Sequence, residues 1–88
     1  MKIKVFHILV KHQFEAEDIA KRITDFESFK EQARKYSLCP SSQNQGDLGE
    51  VQASRLDEDF LEAFELLKVG CFSKPVRTRF GWHLIYRP

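Results

Sequence analysis

The stretch Pro75-Val76-Arg77-Thr78-Arg79-Phe80-Gly81-Trp82-His83-Leu84-Ile85-Tyr86 decides how this chain folds. Two runs of β-favouring residues flank a turn at Arg79-Phe80-Gly81, and Gly81 supplies the positive φ that such a turn uses. Along the second run Trp82, Leu84 and Tyr86 share one face, while His83 and Ile85 share the other. That second face is apolar apart from one imidazole. A matching histidine, His7, stands near the other end of the chain in the equally apolar residues 3–10. If the two runs pair, one sheet carries two histidines in its hydrophobic middle, and the rest of the chain must cover them.

Working outward, residues 3–10 are apolar on both faces: Ile3, Val5 and Leu9 lie beside His7, with Phe6, Ile8 and Val10 opposite. A strand of that kind is central and covered on both sides. Ala16, Ile19, Ala20 and Ile23 then recur at the spacing of an amphipathic helix. Thr24-Asp25-Phe26-Glu27 reads as a capping box, with Asp25 a competing cap, and opens a second helix whose stripe is Phe26, Phe29, Ala33 and Tyr36. Residues 37–46 lack periodicity, hold Pro40, Ser41, Ser42, Asn44 and Gly46, and predict an ordered loop or short helical turn. Gly46-Asp47-Leu48-Gly49 closes the loop and leads into an edge strand through Val51. A third helix is predicted from Ser54 or Asp57 to Lys68, with Leu56, Phe60, Ala63, Phe64 and Leu67 as its apolar stripe. Asp57, Glu58 and Asp59 suit its positive N-terminal end, and Gly70 lies near its stop. The order β-α-α-loop-β-α-β-β predicts one α+β domain over residues 1–88, with helices packed on a small, mostly antiparallel sheet.

Composition narrows the function. The 88 residues are 42% hydrophobic with a formal net charge of +1. A binder of nucleic acid or of a membrane surface needs a one-sided basic excess, so neither partner is expected. No apolar run reaches the ~18 residues of a membrane span, and no signal peptide is visible, so cytoplasmic residence is the expectation. Cys39 and Cys71 are too few for a disulfide framework and are expected as free thiols.

Three sets of residues can carry chemistry. His7 and His83 are either a core pair, satisfied by each other and by a hydroxyl such as that of Thr78, or the polar centre of a site. A neutral imidazole has one donor and one acceptor, so a buried pair needs a further partner in either case. Cys39, on the long loop, is either a small buried hydrophobe or a thiol that a histidine could activate. Two cysteines and two histidines without ligand spacing make a poor zinc site, and no metal or cofactor is expected. Leu48, Leu56, Phe60 and Phe80 are apolar residues near loops or element ends, able to line a concave site with His7, Cys39 and His83.

Taken together, His7-Ile8-Leu9-Val10, then Ser37 and Cys39 before Gly46-Asp47-Leu48-Gly49, Phe60, and Ser73-Lys74-Pro75-Val76-Arg77-Thr78-Arg79-Phe80-Gly81-Trp82-His83-Leu84-Ile85 resemble the parvulin family of peptidyl-prolyl cis/trans isomerases. The likeness spans essentially the whole chain and is greatest to the small stand-alone bacterial type. It implies a four-stranded antiparallel sheet surrounded by helices. It also implies catalytic roles for His7, Cys39, Thr78 and His83, and a proline-ring pocket of Leu48, Leu56 and Phe60 with Phe80 at the rim. Leu56 stands where the family usually has methionine, and Gln45 replaces the first of two glycines often found before the Asp-Leu-Gly segment. Cys71 stands at an often acidic position and receives no catalytic role. Only Lys11 and His12 are basic where the phospho-specific branch clusters arginines.

The resemblance implies rotation about Xaa-Pro bonds in proline-containing peptides and unfolded or partly folded proteins, by a monomer. Cys39 and Asp47 would sit near the rotating carbonyl, and Arg77 and Arg79, alternating with Thr78, would face away from the site. An apolar residue before proline is the expected preference. Two other functions fit the same residues: a chaperone-like module holding extended apolar segments without catalysis, and a thiol hydrolase using Cys39 with His7 or His83.

Overall fold

A computed structural model describes all 88 residues. The doubly apolar first run forms β1, Lys2–Val10, at the middle of a four-stranded antiparallel sheet. Around it the sheet runs in the order β2 (Asp47–Gln52), β1, β4 (Gly81–Tyr86), β3 (Val76–Thr78). The two histidine-bearing strands are therefore neighbours, with His7 opposite Ile85 and Leu9 opposite His83. Helices α1 (Gln13–Ala20), α2 (Phe26–Tyr36) and α3 (Glu58–Leu66) cover the sheet, and the chain shows the predicted α+β order.

Alternation along the central strands divides the core in two. Phe6, Ile8, Val10, Leu84 and Tyr86 meet Ala16, Ile19, Phe29 and Ala33 of α1 and α2. Ile3, Val5 and Ile85 meet Phe60 and Phe64 of α3. His7 and His83 alternate with the second set, so α3 forms the roof over the histidines.

Some boundaries differ from those predicted. Asp25, not Thr24, caps α2: its Oδ1 accepts the Ser28 N–H at 2.8 Å, and the Ser28 hydroxyl accepts the Asp25 N–H at 3.0 Å. Serine does what Glu27 was expected to do one residue earlier. Tyr36, predicted in the buried stripe, instead ends α2 at 46% exposure, with the Arg22 guanidinium 5.6 Å from its ring centroid. Of the two starts predicted for α3, Asp57 is the cap, its Oδ1 accepting the Asp59 N–H at 2.9 Å. The non-periodic loop contains a 3₁₀ turn, Pro40–Asn44, that ends on Gln45 in the left-handed region at φ 60°. Gln45 thus adopts the conformation its missing glycine would have supplied.

Candidate functional site

Loop 37–46 is bound to β1 at both ends. Leu9 N–H donates to Ser37 Oγ at 3.0 Å, and Leu38 N–H to the Leu9 carbonyl at 2.8 Å. At the far end His7 N–H donates to the Gly46 carbonyl at 3.0 Å. Gly46 has φ +88°, and a Cβ on it would lie 2.7 Å from the His7 carbonyl oxygen, so only glycine permits this approach. Held in this way, the loop sets half-buried Cys39 beside the histidine face of the sheet.

The strand after the loop aims a second side chain. Between the pairs Lys4–Glu50 and Phe6–Asp47, β1 advances two residues while β2 advances three. The extra residue is a bulge at Leu48–Gly49, with Gly49 at φ +69°. Asp47 Oδ1 accepts the Gly49 N–H at 2.7 Å. Bulges re-aim side chains, and here Leu48 joins Val51 on the α3 side of the sheet.

His7 Nδ1 lies 3.1 Å from His83 Nδ1, and His83 Nε2 lies 2.7 Å from Thr78 Oγ1. The Phe80 N–H donates to Thr78 Oγ1 at 3.2 Å, which leaves the hydroxyl proton for His83 Nε2. His83 then carries its proton on Nδ1 and donates to His7 Nδ1, and the His7 proton falls on Nε2, which has no partner. The opposite tautomers would leave the Thr78 proton unpaired as well. Phe60 packs on both rings edge to face, with centroids 5.7 Å from His7 and 5.2 Å from His83. Burial, reinforced by the adjacent His83, pushes the His7 pKa from 6.5 down to about 4. Burial also lowers His83 to about 4, against an opposing pull from the Asp57 carboxylate. Both rings are neutral at pH 7.

These elements enclose a cleft of about 350 Å³, mostly apolar, lined by His7, Cys39, Leu48, Leu56, Phe60, Phe80 and His83. Thr78 stands behind it as the anchor of His83. Asp47 does not line it. Its carboxylate is turned to the Gly49 N–H, and the carboxylate at the cleft is that of Asp57. Leu9, Leu38, Pro40 and Arg55 also line the cleft. The sequence held signals for three of these: Leu9 alternates with His7, and Leu38 and Pro40 flank Cys39. Arg77 and Arg79 are both exposed and neither lines the cleft, and the Arg79 guanidinium sits 5.0 Å from the centroid of the exposed Phe80 ring.

The cleft can grip a small apolar ring beside neutral polar groups. It lacks the contact a thiol nucleophile uses, since no hydrogen bond joins Cys39 to either imidazole, and three of the four ring nitrogens are engaged within the His7–His83–Thr78 chain.

The family model of the PPIC-type PPIase, or rotamase, domain matches residues 7–88. Among curated proteins, the foldase protein PrsA of Geobacillus sp. (strain WCH70) is 41% identical over 85 residues, covering 96% of this chain and 31% of that protein. The chain thus spans about a third of the length of the curated relatives it matches. The crystal structure of a peptidylprolyl isomerase (PrsA) from Bacillus anthracis superposes with a TM-score of 0.90 at 36% identity, covering 97% of this chain and 40% of that one. The parvulin of Nitrosopumilus maritimus, solved in solution, is 36% identical with a TM-score of 0.83. That match covers 98% of this chain and 94% of the other.

Proposed function

The chain belongs to the PPIC-type peptidyl-prolyl isomerase family, the parvulins, and on that premise we propose that its cleft accelerates rotation of Xaa-Pro bonds by a non-covalent mechanism. The observation that carries this reading is the apolar slot of Leu48, Leu56 and Phe60 against a buried, neutral histidine pair. Rotation must break amide resonance against a barrier of ~18–20 kcal/mol. A thousandfold acceleration asks for only about 4 kcal/mol of differential stabilisation. The planar amide is the more dipolar form and loses more on leaving water, so an apolar slot favours the twisted state. Leu48, Leu56 and Phe60 hold the ring. Cys39 stands beside the rotating carbonyl, and Thr78 fixes His83 and through it His7, so that neither imidazole brings a charge into the slot. Asp57, not Asp47, is the carboxylate placed to influence the polarity there.

Exchange NMR on a proline tetrapeptide tests this. The expected result is faster cis/trans exchange at a substoichiometric amount of protein. Peptide binding without faster exchange would instead make the domain a holding module for extended apolar segments.

Specificity, state and location belong to the same proposal. Leu38 and Phe80, 66% and 63% exposed at the cleft, support an apolar residue before proline. In an Xaa-Pro series at two salt concentrations, Leu, Phe and Ala are expected to exceed Glu and phosphoserine. A phosphopeptide advantage that vanishes with salt would show Arg79 or Arg55 reading the charge. Clients are proline-containing peptides and unfolded or partly folded proteins, bound by a monomer, and the near-neutral charge speaks against nucleic acid. Two unpaired cysteines, Cys71 exposed, support a reducing, cytoplasmic setting.

A further inference from the structure

A client chain with its proline in the slot must leave the cleft somewhere, and the surface offers a second hollow. It measures about 590 Å³ and lies against β2, lined by Lys2, Glu50, Val51 and Gln52. It shares Leu48, Arg55 and Leu56 with the cleft, so the wall of the proline slot is also the wall of the hollow. Phe80 and Leu38, where the residue before proline is placed, are not part of it. The residues that follow the proline are therefore the ones directed this way. β2 is an edge strand whose outer side pairs with no other strand, which suits a neighbouring extended chain.

The charges of the hollow favour one kind of side chain. Lys2 and Arg55 form no ion pair within the protein, whose bridges are all on α2. Glu50, the hollow's one acid, likewise forms no ion pair and stands opposite Lys4 in the β1–β2 register. The lining therefore carries two cations to one carboxylate beside Leu48 and Leu56.

We propose that this hollow is a second subsite, which receives an acidic side chain on the order of two to four residues after the proline, at ~3.3 Å per extended residue. Lys2 and Arg55 attract the carboxylate, and the chain between runs across the Leu48–Leu56 wall. The proposal rests on the isomerase reading of the slot, and its test separates the two. The substrates are a proline tetrapeptide and versions extended after the proline by residues containing Glu, Gln or Lys. With wild-type protein at low salt, kcat/KM is expected to rank Glu above Gln above Lys, spanning roughly fivefold and shrinking as salt is added. Lys2→Glu should compress that ratio towards one and Glu50→Lys should widen it, while both leave tetrapeptide turnover unchanged. Equal turnover of the three extended peptides, or a Glu-to-Lys ratio indifferent to both variants, would overturn the subsite. A tetrapeptide that is not turned over at all would overturn the isomerase reading instead.

Discussion

His7 Nδ1 lies 3.1 Å from His83 Nδ1, although 76 positions separate the two residues in sequence. The contact exists because β1 and β4 are antiparallel neighbours and both histidines fall on the α3 face. It ties the ends of the chain together at the point where the cleft opens, so stability and site geometry depend on the same two rings.

That dependence predicts a pH profile. Both rings titrate at about 4 in the fold against 6.5 when free. Since the folded pKa values lie below the unfolded ones, the unfolded chain binds protons first as pH falls. The contribution of the two rings is complete above pH 6.5 and declines between 6.5 and 4, by an amount on the order of a few kcal/mol for the coupled pair. Melting temperatures should fall across that window while kcat/KM at low temperature shows no inflection near 6.5. An activity inflection at 6.5 would mean that one ring is charged or exposed in the folded state.

Phe60 serves the slot and the core together, being 4% exposed and packed on both histidines. Truncation to alanine would cost about 3–5 kcal/mol, much of the stability of a domain this size, and confuse unfolding with lost activity. Phe60→Leu keeps an apolar side chain at a cost of about 1–2 kcal/mol and removes the flat aromatic face that the proposed function sets beneath the proline ring. The expected outcome is a folded protein whose kcat/KM drops by about tenfold or more. Wild-type kcat/KM in folded Phe60→Leu would move the ring elsewhere.

Asp47 Oδ1 holds the Gly49 N–H of the bulge that carries Leu48, and does not line the cleft. Asn can still accept the Gly49 N–H, so Asp47→Asn should retain near-normal kinetics. Asp47→Ala leaves that N–H without its acceptor, lets Leu48 swing, and should raise KM by about three- to tenfold with a smaller change in kcat. Equal damage from both substitutions would show that the charge itself is used.

Gln45 holds φ 60° on an exposed turn without a glycine. Gln45→Gly should relieve the left-handed strain and gain about 0.5–1 kcal/mol, or roughly 3–6 °C in Tm. Gln45→Ala keeps the strain and serves as the control. A Tm gain shared by both variants would point to the glutamine side chain instead of the backbone.

Much of this was legible locally. Alternation placed His7 with Val5 and Leu9, and His83 with Ile85, because a strand's period of two assigns faces without knowledge of any partner. The third helix and its Phe60 stripe followed from the 3.6 period, and the resemblance of the ordered motifs to the parvulins indicated the slot residues Leu48 and Leu56. The meeting of the two rings was anticipated as well, and the pairing of β1 with β4 brings them to 3.1 Å. Two decisive features were not legible, because each depends on register or on a turn between distant segments. The bulge opposite Lys4–Phe6 turned Leu48 inward and drew Asp47 to Gly49, so that Asp57, arriving on the α3 cap, became the carboxylate at the cleft. The tight turn after Thr78 stacks Arg79 on the exposed Phe80 ring, a contact that strand alternation does not specify. Periodicity is a property of one segment, whereas register shifts and turns are set by what two segments do to each other. For this protein the sequence therefore decided the faces of the regular strands and helices, and the tertiary structure decided the bulge, the turn and what each face meets.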